Sequence, residues 1–342
     1  MCGLSVIRKI EMKTLIVTSE LGKGGNEVLK ALPYDLLMSE GNYCHPENVS
    51  HYIDFRKRCK QYDNILAFSF PSYIWASYTD VPTAWYCFEP QFYIMRDKTL
   101  RHKVISRVMV PYEKRRIKKG VQACIVADEA NRKRFEEVYG VDPHVVPYGV
   151  DYTFWSRTPP RDPYYTHQFV IAHIAEMQPF KNQLKSLQIL RELLEFVPNA
   201  KLLLIGKQYP PYMKVLNKYI KDHRLQPHVS ILPETDRYRL SRMVYKYIDC
   251  VIHPVKLQGG FLVPLEASAA NRPVVVSPEC SCSDIIMKHA LGMVAYTDDE
   301  WLSMLIELSD GCDYSCNREW IRDNLTWRKF REGVEKVLED IT

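Results

Sequence analysis

The chain has 342 residues, 46 Lys and Arg against 41 Asp and Glu for a formal charge of +5, with 46% hydrophobic, 25% charged and 12% aromatic residues. At about 150 residues per domain this predicts roughly two domains, each able to bury a core, and the composition excludes disorder for the bulk of the chain. No apolar run reaches the roughly 18–20 residues that cross a bilayer, so the chain reads as cytoplasmic, soluble or peripheral to a membrane.

The first residues read as an extension. Lys13 to Thr18 then forms an opening buried strand, closed by a glycine turn (Gly22, Gly24, Gly25) and followed by a helix from Asn26 to Leu32. Further strand-like runs lie at Asn64 to Phe68, Thr83 to Phe88, Ala123 to Ala127 and His144 to Val150, with helices at Leu100 to Lys119 and Asp128 to Tyr139. Strands without period-two alternation, separated by helices, indicate parallel strands covered on both faces. A proline-bearing stretch from Ser156 to Pro163 interrupts this pattern.

The same grammar then restarts. Strands are expected at Phe169 to Ala175, Ala200 to Gly206, Val229 to Leu232, Cys250 to His253, Pro273 to Ser277 and Gly292 to Tyr296. Helices fill the gaps: Asn182 to Phe196, Tyr212 to His223, Arg237 to Tyr247, Phe261 to Ala270, Ser283 to His289 and Asp299 to Leu308. A last amphipathic helix, Trp327 to Leu338, has no strand after it. The expected organisation is therefore α/β, with Rossmann-like doubly wound domains over residues 1–160 and 161–325 and a helix in 326–342 that crosses back to the first domain. Two such sheets in tandem are expected to face each other across a cleft at the carboxyl ends of their strands, where open α/β sheets bind ligands.

Ten cysteines are scattered along the chain, and Cys124 and Cys250 lie inside apolar runs, so all are read as reduced. The pairs Cys280/Cys282 and Cys312/Cys316 lack the C-x2-C spacing and accompanying His of a structural zinc site, and no metal is expected.

The most informative stretch is Gln258, Gly259, Gly260, Phe261, Leu262, Val263, Pro264, Leu265, Glu266, Ala267, after a strand and at a helix start. Glycines there let the backbone approach a ligand, and the unpaired N–H groups of a helix start favour anionic oxygen. Glu266, one turn or so into the helix, has a carboxylate able to accept hydrogen bonds from vicinal hydroxyls. This segment resembles the glycine-rich loop of the retaining GT-B glycosyltransferases of family four (glycosyl transferases group 1): Glu-Gly-Phe-Gly-Leu, three residues, Glu-Ala, then a Gly-x-Pro-Val-Val strand. Here Gln258 stands for the first Glu, Gly260 and Phe261 appear in swapped order, Leu262 and Glu266-Ala267 match, and Asn271-Arg272-Pro273-Val274-Val275 supplies the strand. The family's Gly-Arg-Leu, three residues, Lys-Gly/Asn element resembles Ala175 to Asn182, with Lys181 matching and Glu176 in place of Arg. Val145 to Asp151 with Phe154 resembles the family's Val-Ile-Pro-Asn-Gly-Val-Asp...Phe signature, and Gly24-Gly25 fits its N-terminal loop.

The resemblance implies transfer of a sugar from a UDP- or GDP-linked donor to an acceptor hydroxyl, with retention at the anomeric carbon and no further cofactor. Such a reaction needs stabilisation of a departing diphosphate. Lys181 and the amides of Gly259 to Leu262 are expected to supply it. Donor-binding residues are then Gly24, Gly25, Lys181, Gly259, Gly260, Phe261, Leu262, Val263 and Glu266, and the catalytic set is Lys181, Gln258 and Glu89. Glu176 takes a cation from the pocket, which Arg272 or Lys256 could restore, and Gln258 cannot carry the negative charge of a Glu. Glu89, at the end of a strand, is a carboxylate able to orient or deprotonate the acceptor, with Tyr86, Phe92 and Tyr93 able to stack on sugar faces.

Between Arg96 and Gly120 ten Lys and Arg face two acids, a net of +8 that leaves the remainder at −3. The run Lys114 to Lys119 is either a solvated helix face or a contact with anionic membrane, as in membrane-associated relatives of the family it resembles; the acceptor expected is a glycan or a lipid-linked one. No nucleic-acid recognition module is present in the sequence, and no nucleic-acid partner is expected. The alternatives are, from the same architecture, a sugar-nucleotide epimerase or a phosphorylase, for which no pyridoxal-phosphate lysine context is found, and, from a different class, a non-catalytic nucleotide-sugar-binding or assembly subunit.

Overall fold

A computed structural model of the chain describes residues 12–18, 23–38, 49–68, 70–90, 100–162, 167–256, 262–312 and 314–342. They fall into two compact units, Met1–Val146 with Arg331–Thr342, and Pro147–Phe330. Each is built on a parallel six-stranded sheet.

The first unit's strands are β1 (Thr14–Thr18), β2 (Asp35–Met38), β3 (Asn64–Phe68), β4 (Thr83–Tyr86), β5 (Ala123–Val126) and β6 (His144–Val145), in the order β2-β1-β3-β4-β5-β6. β1, β3, β4 and β5 are buried at every position, as strands covered on both faces must be. β2 was absent from the sequence reading; it is a four-residue edge strand opening on Asp35, too short and polar to stand out. Helix Lys23–Lys30 starts before the expected Asn26, so Gly24 and Gly25 lie in its first turn rather than in the turn before it. The core joins Leu15, Val17, Ile65 and Trp85 to Phe135 and Tyr139. The Trp85 ring lies 4.1 Å from that of Tyr73 and 5.5 Å from that of Phe135. Each such ring contributes roughly 4–6 kcal/mol of transfer free energy before entropy is charged.

One acid is built into this core. Glu113, on helix Leu100–Gly120, is fully buried and accepts hydrogen bonds from Tyr73 Oη (2.6 Å) and Tyr139 Oη (3.0 Å). Burial raises its pKa to about 7 against the opposing pull of those two hydroxyls.

The second unit holds β7 (Phe169–Ile174), β8 (Ala200–Ile205), β9 (Val229–Leu232), β10 (Cys250–His253), β11 (Val274–Val276) and β12 (Met293–Val294), ordered β12-β11-β10-β7-β8-β9. All six strands lie where their apolar runs predict them. Helices Gln183–Leu193 and Pro210–Asp222 cover β7 and β8, with Leu187, Leu190, Leu193, Met213 and Leu216 in the core. The expected helix from Arg237 to Tyr247 is instead a short turn at Arg237–Arg239, a wide π turn at Leu240–Val244 and a tight 3-10 turn at Tyr245–Tyr247. Its residues are anchored separately: Ser241 to the Thr158 hydroxyl, Arg242 to the Arg157 carbonyl, and the Lys246 carbonyl to the Asp162 amide. Anchors at unequal spacing break a regular i→i+4 ladder.

The division falls at Val146/Pro147, ahead of the proline-bearing stretch near residue 160. The intervening residues fold onto the second unit. Trp155 of helix Tyr152–Trp155 is buried there, its ring 5.7 Å from that of Tyr245. A Cβ on Gly149 would meet the Trp327 amide nitrogen at 2.3 Å, so only glycine permits this backbone approach, beside which the Val150 amide donates to the Leu325 carbonyl. Asp151 caps helix Tyr152–Trp155 through the Phe154 amide (3.1 Å) and pairs with Arg237, whose guanidinium lies 4.3 Å from the Phe154 ring centroid. The Gly-Val-Asp...Phe signature is thus a structural knot. The last helix, Trp327–Ile341, begins in the second unit and ends in the first, where Val334, Val337 and Leu338 are buried and Asn64 Nδ2 donates to Thr342 Oγ1 (3.0 Å).

Candidate functional site

In the second unit the chain runs outward from β7 through β8 to β9, then returns to lay β10 on the other side of β7. Loops leaving the carboxyl ends of β7 and β10 therefore diverge, and such a switch point is where an open parallel sheet leaves room for a ligand. Those two loops are residues 175–182 and 254–261, the segments carrying Lys181 and the glycine run.

The first loop leaves β7 as an extension of the sheet. The Ala175 amide donates to the Ile205 carbonyl and the Met177 amide to that of Lys207. Glu176 is half-buried; its carboxylate accepts from Gln178 Nε2 (2.9 Å), and its backbone carbonyl accepts from Gln183 Nε2 (2.9 Å) at the start of helix Gln183–Leu193. Its carboxylate is therefore engaged within its own loop. Pro179–Lys181 form one 3-10 turn, ended by Asn182 at φ 61°. Asn is among the few L-residues that adopt this left-handed conformation at low cost.

That turn is tied to the second loop at two points. Asn182 Nδ2 donates to the Pro254 carbonyl (2.8 Å) and the Lys256 amide to the Phe180 carbonyl (3.3 Å). Half-buried Lys181, with Nζ 5.0 Å from the Phe180 ring centroid, is thereby held beside the approach to the glycine run. Gln258, Gly259, Gly260 and Phe261 lie outside the described residues. The chain resumes as helix Leu262–Ala269, in which Leu262, Val263 and Glu266 are half-buried and Pro264, Leu265 and Ala267 are buried. Glu266 faces Tyr245: burial first, and the Glu266 charge second, raise the pKa of that phenol.

Two histidines that sequence reasoning did not single out lie under these loops. His173 on β7 and His253 on β10 are both buried, with ring centroids 5.5 Å apart. His173 Nδ1 shares a hydrogen bond with Ser186 Oγ (2.8 Å), while its Nε2 has no partner among the described residues. Burial, then the charge of Lys181, lower its pKa to about 3, so it is neutral and marks how close that lysine lies. The available signal was a His in each of two otherwise apolar strands at their carboxyl ends.

Several expectations need correction. Arg272 is not a spare phosphate cation: it is buried, with Nε donating to the Tyr245 carbonyl (3.0 Å) and Nη2 to that of Pro159 (2.7 Å). Lys256 is exposed at the entry to the glycine run. Tyr86 is no stacking platform, being wholly buried between Phe68 and Phe88 with Oη donating to the Val146 carbonyl (2.7 Å). Phe92 and Tyr93 lie outside the described residues.

In the first unit, Glu89 follows β4, half-buried, and its charge is one of those that add to burial in raising the Cys87 thiol pKa. Gly24 and Gly25 follow β1, at that sheet's own switch point between β1 and β3. The run Lys114 to Lys119 is only partly available. Ile117 is in the core, Arg116 donates to the Ser77 carbonyl and covers the Tyr78 ring at 3.4 Å, and the Lys114 and Lys118 ammonium groups lie by Gly140, the left-handed cap of helix Glu129–Tyr139. Cations at a helix C-terminus stabilise its dipole. Cys280 and Cys282 are unbridged thiols with Sγ atoms 3.4 Å apart. Among the described residues no helix is long and apolar enough to cross a membrane.

Residues 159–308 match the model of the family described as glycosyl transferases group 1. No curated protein matches the chain. Among solved structures, Anabaena HepE in complex with UDP and glucose superposes with a TM-score of 0.79 at 13% identity, covering 96% of this chain and 100% of that one. WaaG, a glycosyltransferase involved in lipopolysaccharide biosynthesis, gives 0.68 at 14% identity, covering 96% and 99%. Sucrose-phosphate synthase from Thermosynechococcus elongatus gives 0.69 at 12%, covering 96% and 98%. At such identities the likeness speaks to fold: the two parallel-sheet units are those of the GT-B architecture.

Proposed function

We infer, from residues 159–308 matching the model described as glycosyl transferases group 1, that the chain is a glycosyltransferase using a nucleotide-diphosphate sugar. The observation that supports this reading is the pair of hydrogen bonds, Asn182 to Pro254 and Lys256 to Phe180, that tie the turn carrying Lys181 to residues 254–256 at the switch point.

In this reading the bond between the anomeric carbon and the diphosphate oxygen breaks, and the nucleoside diphosphate leaves with the electron pair. Lys181 and the amides at the start of helix Leu262–Ala269 stabilise the charge that builds there. Glu266 holds the ribose hydroxyls. The acceptor oxygen bonds to the anomeric carbon with retention, Glu89 takes its proton, and Gln258 contacts sugar hydroxyls. Gly24 and Gly25 give the donor close access to backbone. UDP is the favoured nucleotide, since HepE, the neighbour of similar fold, holds UDP; the acceptor is a glycan or a lipid-linked sugar. Glu176 favours a second reading, donor binding without transfer, because it sets a carboxylate where the family carries a cation.

The test incubates the protein with UDP- and GDP-sugars and measures nucleoside diphosphate release and donor affinity. The transferase reading expects release with at least one donor, strongly slowed by Lys181→Ala. Glu266→Ala is expected to weaken donor binding by about 1–3 kcal/mol, the usual cost of an unmade charged hydrogen bond. Tight donor binding without any release would favour the second reading, and no binding to any donor would remove both.

A further inference from the structure

The turn that follows β11 holds two cysteines in contact. It is closed by the Cys280 amide on the Ser277 carbonyl (3.1 Å), the Ser283 amide on the Cys280 carbonyl (2.9 Å) and Ser283 Oγ on the Pro278 carbonyl (3.1 Å). Cys280 and Cys282 are both buried, with their sulfurs 3.4 Å apart. Ser281 between them is 2% exposed, and its hydroxyl has no hydrogen-bond partner among the described residues. A buried hydroxyl left unpaired costs free energy, so this turn is not held in one fully satisfied conformation.

Packing explains the single cysteines Cys124 and Cys250, which fill the interior of a sheet, but it does not call for a second thiol two residues on in a turn. A structural metal needs further ligands, and among the described residues no group of three or more His, Cys, Asp or Glu is placed to hold one. Thiol–disulfide chemistry fits better: a bond of about 2.05 Å requires the sulfurs to close by only about 1.4 Å. The turn is also joined to the candidate site. Ser277 Oγ donates to the Val255 carbonyl (2.7 Å) and its amide to the His253 carbonyl (3.3 Å). On that same segment the Pro254 carbonyl and the Lys256 amide bind the turn of Lys181. A row of hydrogen bonds therefore links the two thiols to that lysine.

We propose that Cys280 and Cys282 are an oxidation site, converted reversibly to a disulfide by a peroxide, and that the closed turn loosens residues 254–256 and with them the hold on Lys181. Cys280, the less buried of the two, loses its proton and attacks one peroxide oxygen; the O–O bond breaks, water leaves and a sulfenic acid remains. The Cys282 sulfur, losing its own proton, then displaces that oxygen as a second water, and the S–S bond forms. Two thiols have given up two electrons and two protons, and one hydrogen peroxide has become two waters. Burial makes the first step slow, and the adjacent sulfur ends the sequence before sulfinic acid is reached. A dithiol reductant reverses it by exchange. The oxidation needs no nucleotide sugar; only its effect on donor binding rests on the transferase reading.

The test treats the full chain with hydrogen peroxide and then dithiothreitol, reading peptide masses and amide hydrogen exchange. The peptide holding both cysteines is expected to lose two hydrogen atoms with peroxide and regain them with the reductant. The Lys256 amide should exchange roughly fivefold faster in the oxidised form, the equivalent of one hydrogen bond's net contribution. Cys280→Ala and, separately, Cys282→Ala should show neither change. UDP-sugar affinity, measured alongside, should fall on oxidation. A chain that gains exchange on oxidation yet binds no donor in either state sinks the transferase reading and leaves this one standing. A peptide that keeps both thiols, or goes on to sulfinic acid, overturns the proposal. So does a Lys256 amide that exchanges alike in both forms, a bound donor whose affinity oxidation leaves unchanged, or a Cys280→Ala chain that responds to peroxide as wild type does.

Discussion

Glu113 sets a measurable link between pH and stability. Its pKa in the fold, about 7, lies above the value of an unfolded glutamate, so the folded state holds its proton longer. The stabilisation it supplies is complete below the unfolded pKa near 4.5, declines as pH rises through the interval up to 7, and is gone above it. Tyr73, Tyr139 and Cys87 are the titratable groups that share its surroundings, and burial holds all three neutral throughout that interval. Glu113→Gln keeps the size and most hydrogen-bonding capacity while removing the ionisation. Urea unfolding across this interval should show wild type losing on the order of 2–3 kcal/mol more than the variant. Parallel curves would mean that Glu113 is already ionised in the fold. A lone Glu in a basic helix gave no sign of this in the sequence, because a buried acid is revealed only by the two tyrosines that reach it from other helices. The placement of Lys181 and Glu266, on the segments that follow β7 and β10, was legible from motif spacing. The roles of Arg272 and Tyr86 were not, since which carbonyls a side chain meets is decided by tertiary packing.

The turn at Pro179–Lys181 concentrates the site's geometry in one backbone conformation. Asn182 closes it at φ 61° and reaches Pro254 with its side chain, so conformation and hydrogen bond can be separated by substitution. Asn182→Gly keeps the left-handed backbone and loses only the side-chain bond, while Asn182→Ala also pays about 1–2 kcal/mol of strain. Both variants should raise the KM for donor by loosening Lys181, but thermal unfolding should fall clearly only in the alanine variant. Equal donor kinetics in all three proteins would show that the tie between the loops does not position the lysine. The element pattern behind this turn was readable because parallel strands buried on both faces leave unbroken apolar runs, as in Ala200 to Ile205 and Val274 to Val276. What escaped were elements without such a run. β2 sits at a sheet edge, and the short helices Ser72–Ala76 and Arg318–Asn324 owe their form to packing rather than to a periodic stripe long enough to recognise. The span from Arg237 to Tyr247 has the helical period, yet its anchors impose three different turns.

At the scale of the whole molecule, the contacts divide a chain whose first unit is discontinuous in sequence. Residues 331–342 complete a core begun by residues 1–146, whereas residues 147–330 contribute to the second unit without interruption. Removing Arg331–Thr342 takes away Val334, Val337 and Leu338, three buried aliphatics, at about 2–5 kcal/mol for each large side chain lost. Limited proteolysis of the shortened chain should cut within residues 1–146 while a fragment covering most of 147–330 survives. Protection of both regions alike would mean that the terminal helix adds nothing to the first core. The same discontinuity governs the order of events during synthesis. Chains with several domains commonly mature from the amino end as each is released by the ribosome. Here the amino-terminal half emerges first with all six strands of its sheet but must wait, its core uncovered, until translation delivers the closing helix; the middle of the polypeptide can settle before its beginning.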